Sequence, residues 1–114
     1  MAFNELEIQR IKKSVGEMCH RRSPPQHRDK LNISYEIAGQ SVLVYEVRPR
    51  WDNPQEKTKT GVAKFRFIRS TNQWRLYWMR RDLKWHLYDP DNMPSTLEEL
   101  VRIVNEDRYG AFFG

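Results

Sequence analysis

At 114 residues, with 39% hydrophobic and 12% aromatic content, the chain carries enough apolar bulk for one core, which excludes disorder despite a mean hydropathy of −0.86. A net charge of +5 favours acidic partners, and the single cysteine, Cys19, excludes an intrachain disulfide and suits a reducing compartment. No stretch approaches the ~18 apolar residues of a membrane span, and Met-Ala-Phe-Asn-Glu-Leu-Glu opens with acids where a secretory signal needs cations, so the expectation is a cytoplasmic protein with no membrane contact.

A helix over about 4–22 is predicted to start at Asn4, with Glu7 at the third helical position of a capping box and Phe3 and Ile8 placed for a hydrophobic staple. Ile8, Ile11, Val15 and Met18 recur at three- and four-residue steps, and the helix stops before Ser23-Pro24-Pro25. Leu31, Ile33, Tyr35 and Ile37 alternate with polar residues as a first strand, and Ala38-Gly39-Gln40-Ser41 turns it into a second, Val42 to Val47. Arg48 to Pro54 reads as an irregular stretch, followed by a polar connection from Gln55 to Thr60. A third strand spans about Val62 to Ile68, a fourth about Trp74 to Arg80, and a short fifth Lys84 to Tyr88.

Ser95-Thr96-Leu97-Glu98 has capping-box form, and Leu97, Leu100, Val101 and Val104 follow at helical spacing, giving a second helix over about 96–107. The aromatic tail 108–114 is expected to fold back and complete the core, the alternative being a docking peptide. The order predicts an α+β domain spanning 1–114. It has two layers: an antiparallel sheet of about five strands over 31–88, with both helices packed on one face.

Charge is concentrated. Residues 60–88 hold seven Lys or Arg against the single acid Asp82, whereas 89–114 hold six acids against two arginines, an acidic segment able to neutralise part of a neighbouring basic sheet. Period-two alternation predicts Phe65, Phe67, Leu76, Trp78, Trp85 and Leu87 facing the helices. It leaves Lys64, Arg66, Arg75, Tyr77, Lys84, His86 and Tyr88 on the outer face. Any antiparallel sheet needs a polar face, and edge cations also discourage aggregation. The same mixture of cations and rings is what a sequence-tolerant platform for single-stranded nucleic acid uses. Arg50 and Trp51 form a second candidate in an irregular loop, with Trp51 expected to tuck against the sheet.

Other chemistry finds little support. Cys19, His20 and His27 lack paired metal-ligand spacing and His86 is remote, so neither metal nor cofactor is expected. Glu36 and Glu46 fall on paired strands as a small nuclease would need, but Arg48 stands where a lysine would act, and arginine is not a base. No phosphate loop or nucleophile triad occurs, which leans against an enzyme.

Arg48-Pro49-Arg50-Trp51-Asp52-Asn53-Pro54, Asp82-Leu83-Lys84-Trp85-His86-Leu87-Tyr88 and the ending Asp107-Arg108-Tyr109-Gly110-Ala111-Phe112-Phe113-Gly114 are fairly specific. Together with the opening residues they resemble a bacterial family of small single-domain proteins catalogued only as a domain of unknown function. That resemblance spans essentially the whole chain and implies no catalytic or binding residue. The residues themselves point to a non-enzymatic binding module for an acidic partner such as nucleic acid. The rival is a protein-interaction or homo-oligomeric assembly subunit using the Trp51 loop or the tail.

Overall fold

The computed structural model describes residues 3–27, 30–90 and 93–113. The N-terminal helical run comprises α1 (Glu5–Ile11), a π-helical turn (Lys12–Gly16) and α2 (Glu17–Arg21). The predicted capping box forms: Asn4 Oδ1 accepts from the Glu7 N–H at 2.8 Å, and Glu7 Oε1 accepts from the Asn4 N–H at 2.9 Å. The staple does not form. Phe3 instead stacks on Trp74, with centroids 5.5 Å apart, and Ile8 stays 39% exposed, while Ile11, Val15 and Met18 are buried. In the widened turn the Ser14 hydroxyl donates to the Arg10 carbonyl at 2.6 Å.

Five strands follow as an antiparallel meander in the order β1 (Asn32–Ala38), β2 (Ser41–Pro49), β3 (Lys57–Ile68), β4 (Gln73–Met79) and β5 (Trp85–Leu87). Gly39, at φ 59°, makes the first hairpin turn. β2 and β3 run further than the side-chain pattern implied. Arg48 and Pro49 pair with Thr58 and Lys57, so part of the stretch expected to be irregular is a two-stranded arm. Ladder hydrogen bonds do not require apolar side chains, which is why a Lys-Thr-Lys-Thr strand escapes a pattern-based reading.

The helical run and α3 (Leu97–Glu106) cover one face of the sheet. Ile11, Val15, Leu97, Leu100 and Val104 share a core with Val42, Val44, Ala63, Phe65 and Leu76 from β2, β3 and β4. Thr96, not Ser95, sits at the N-cap of α3 and makes no side-chain cap bond. The predicted box is replaced by two longer-range contacts. The Ser95 carbonyl accepts from the Trp74 N–H at 2.8 Å, and Glu98 accepts from Arg10 of α1 at 2.7 Å. At the other end of α3, Asp107 takes the left-handed conformation (φ 46°), and its carboxylate accepts from the Phe112 and Phe113 N–H groups at 2.9 and 2.8 Å. This turns the tail back as expected. Phe112 is buried against Tyr88 at 4.9 Å, Phe113 lies under the Arg22 guanidinium at 3.7 Å, and Tyr109 is left 70% exposed.

The fifth strand departs from expectation. Tyr77 pairs with Leu87, Trp78 with His86 and Met79 with Trp85, so Trp85 and Leu87 lie on the outer face, while His86 and Tyr88 belong to the helix side. Trp-His-Leu-Tyr is bulky on both faces, so hydrophobicity cannot choose its register. The turn chooses it: Leu83 adopts φ 61°, and its N–H donates to the Arg80 carbonyl at 2.9 Å.

Truncating Phe112 to Ala is expected to destabilise the fold by about 3 kcal/mol, whereas Tyr109→Ala stays within about 0.5 kcal/mol, read by urea denaturation. A tail that leaves stability unchanged in both variants contradicts this packing. Acid should act through two ion pairs that tie helix to sheet and helix to helix. Hydrogen bonds from Arg69, then from the Asn4 amide, hold the Glu7 carboxyl below its ordinary value. At Glu98 partial burial pushes upward, but the hydrogen bonds from Arg10 outweigh it and the net shift is down. The unfolded chain therefore binds these protons first. Their contribution is complete above the ordinary glutamate pKa of about 4.3 and fades as pH falls through the lower folded values. The urea midpoint should drop on acidification below that point, with a shallower drop in Arg69→Ala and Arg10→Ala.

Candidate functional site

No helix lies over the second face of the sheet among the described residues, and its composition is set by one irregularity in β3. Val44 faces Ala63 but Tyr45 faces Gly61, so Val62 is an extra residue, and both Val62 and Ala63 are buried. The insertion reverses the alternation. Lys57, Lys59 and Gly61 then share the outward side with Lys64 and Arg66, although simple counting by twos would group them with Phe65. The outward strand positions carry Lys57, Lys59, Lys64, Arg66 and Arg75, and Glu36 is the one carboxylate at those positions of the described strands.

The cations are interleaved with rings. Lys64 pairs across to Tyr77 with its Nζ 5.3 Å from the ring centroid, and Lys59 Nζ lies 5.0 Å from the Tyr45 ring and 3.5 Å from Glu36 Oε2. Burial first, then the charge of Glu36 and a hydrogen bond to it, raise the Tyr45 pKa, so this phenol remains a neutral donor. Trp85 reaches inward from β5: a Cβ on Gly61 would meet its Cη2 and the Met79 Cε at 2.8 Å. Gly61 is thus a notch that leaves room for the Trp85 indole and the Met79 thioether. Arg66 and Arg75 face each other directly, and neither has a carboxylate within 4.0 Å among the described residues.

Four of the nine predicted residues meet here: Lys64, Arg66, Arg75 and Tyr77. The other five do not. Lys84 is exposed in the β4–β5 turn, where its N–H donates to Asp82 Oδ1 at 3.0 Å. His86 Nε2 lies 2.8 Å from Asp82 Oδ2, and that bond, then the one from the Lys84 amide, holds the Asp82 carboxyl below its usual value. Tyr88 packs between Trp78 and Phe112 on the helix side, and burial, then Tyr109 and Asp107, raise its pKa. Trp85 and Leu87 occupy the outward positions expected for His86 and Tyr88. Lys59 and Tyr45 were missed, and Gly61-Val62-Ala63 was the available signal, since glycine inside a strand marks a bulge or a close approach.

Arg50 and Trp51 stand apart at the tip of the β2–β3 hairpin. Arg50 Nε and Nη2 donate to the two Asp52 oxygens at 3.0 and 2.8 Å, Nη1 donates to Glu56 Oε2 at 2.8 Å, and the Arg50 N–H donates to the Glu56 carbonyl at 2.8 Å. Trp51 does not tuck against the sheet: it is 95% exposed. The arm outruns its neighbours, because β1 begins opposite Val47 and the paired part of β4 ends opposite Ala63, so no surface lies beneath the indole.

Glu36 and Glu46, the acids on paired strands, do not converge. Glu36 faces outward opposite Leu43, while Glu46 shares a face with Ile33 and contacts Arg48. Cys19 is buried and its thiol is pushed up to about 11 by that burial, which suppresses the thiolate. His20 is exposed, and the side chain of His27 lies outside the described residues. On the helix side a groove of about 430 Å³ runs between the N-terminal helices and α3, past Lys13, Met18, Val101 and Arg102. Among the described residues no helix is long and apolar enough to cross a membrane.

Comparison with curated proteins and with solved structures gives no match. A family model does match, over residues 3–114, under the description Domain of unknown function (DUF3024). That span takes in every strand and helix described above, and the chain therefore belongs to the DUF3024 family.

Proposed function

We propose that the open sheet face binds single-stranded nucleic acid and that the protein is a non-enzymatic, cytoplasmic binding module. The observation that carries this reading is the Arg66–Arg75 pair, two guanidinium groups on facing positions with Lys64 alongside and, among the described residues, no acid in ion-pair contact with them. Like charges directly opposite each other in a sheet oppose folding, and a polyanion laid across them removes the repulsion. Tyr77, Tyr45 and Trp85 supply π-faces beside those charges, which favours unpaired bases over a stacked duplex. The acids of α3 lie away from this charge, since α3 belongs to the helical layer and its Glu98 is taken by Arg10.

Fluorescence anisotropy with labelled oligo(dT) and oligo(rU) tests the reading. Three phosphate contacts by Lys64, Arg66 and Arg75 imply a slope of log K against log salt of about −2, from roughly −0.7 per neutralised phosphate. The Lys64→Ala/Arg66→Ala/Arg75→Ala variant should lose most of that slope. Absence of salt-sensitive binding by the wild-type protein at low ionic strength rejects the proposal. The same pair makes a stability prediction of opposite sign: Arg75→Gln should weaken binding and yet stabilise the fold by about 0.5 kcal/mol, measured by urea denaturation.

A further inference from the structure

Resting on the open-face reading, we infer that the bound strand runs along β3 rather than across the sheet, leaves the sheet over the β2–β3 arm, and ends with a base stacked on Trp51. The bulge at Val62 aligns Arg66, Lys64, Lys59 and Lys57 on one side of a single strand. That row is about 30 Å long, since a strand rises roughly 3.3 Å per residue. A cationic row along one strand fits an extended phosphate backbone. Across the sheet the charges do not continue, because Arg75 is followed on β5 by Leu87 and Trp85.

The arm leads to an indole that is 95% exposed and so has almost no packing to give up. Trp51 is held out by a loop whose two carboxylates, Asp52 and Glu56, are both engaged by Arg50, which locks the tip and mutes the repulsion they would direct at phosphate. An exposed indole next to a cationic track has only two side-chain torsions to fix on stacking, so a base placed there adds affinity without reorganising the protein. The ligand class is a single strand long enough to span the sheet and the arm together. A short oligonucleotide would occupy the sheet alone.

The test compares oligo(dT) of about 4 and about 12 nucleotides, within the range of single-strand site sizes, on wild type, Trp51→Ala, Trp51→Phe and Lys57→Ala/Lys59→Ala. Wild type and the two Trp51 variants should bind the short oligonucleotide equally, and wild type should bind the long one more tightly. Trp51→Ala should weaken binding of the long one about tenfold, the size of one lost base–aromatic stack. Trp51→Phe should keep that affinity while losing the extra fluorescence quench that the long oligonucleotide produces over the short one. Lys57→Ala/Lys59→Ala should lower the salt slope for the long oligonucleotide more than for the short one. Arm variants that match wild type at both lengths overturn this inference and leave the open-face reading standing. Failure of wild type to bind either length removes both.

Discussion

The extra residue that Val62 places in β3 decides what each face of the sheet is made of. Upstream of it, Lys57 and Lys59 would alternate into the helix-covered side if pairing were regular; downstream, Phe65 and Phe67 need that side for the core. A single insertion reconciles the two demands, because a strand's side chains alternate strictly and only an added residue shifts their phase. Val62 and Ala63, one large and one small, are both buried at the switch. The two-layer architecture, the cationic outer side and the notch at Gly61 all follow from that phase change.

Packing around the sheet is closed by rings near both ends of the described chain. Phe3 stacks on Trp74, which also meets Phe67 at 5.1 Å, while Phe112 meets Tyr88, which in turn lies edge-on to Trp78. β4 thus carries a tryptophan toward each of its ends, and each receives a segment from far away in sequence. The connection is made directional by carboxylates: Glu7 ties α1 to Arg69 beside the first cluster, and Asp107 points the tail at the second. Aromatic clusters supply area, and the charged hydrogen bonds supply the geometry that brings them together.

Features set by local chemistry were readable from the sequence. The Asn4–Glu7 box, the Ile11–Val15–Met18 stripe, the alternation of Phe65, Phe67 and Leu76, and the α3 stripe all depend on neighbours within four residues. What escaped depends on distant partners. Ser95 and Glu98 have the spacing of a cap but find Trp74 and Arg10 instead. β5 is ambivalent in hydrophobicity, and its facing is decided by the turn before it. Tyr88 finds Phe112 only because the tail folds back, and Trp51 stays bare only because the arm outruns β1 and β4. The candidate site was therefore half legible. Its centre, Lys64, Arg66, Arg75 and Tyr77, follows from plain alternation, but its extension to Lys59 and Tyr45 lies beyond the bulge.

The buried Ser23 hydroxyl bears on how this molecule meets others of its kind. It accepts from the Ile33 N–H at 2.7 Å and lies 3.2 Å from the Ile33 carbonyl, saturating both main-chain groups of one residue on the outer rim of β1. At the opposite rim β5 offers only three residues. A visiting strand finds an interrupted template on either flank, so edge-to-edge polymerisation is discouraged even though one broad side of the sheet is bare. A protein built this way can leave its flat side available to a ligand without becoming a seed for fibres.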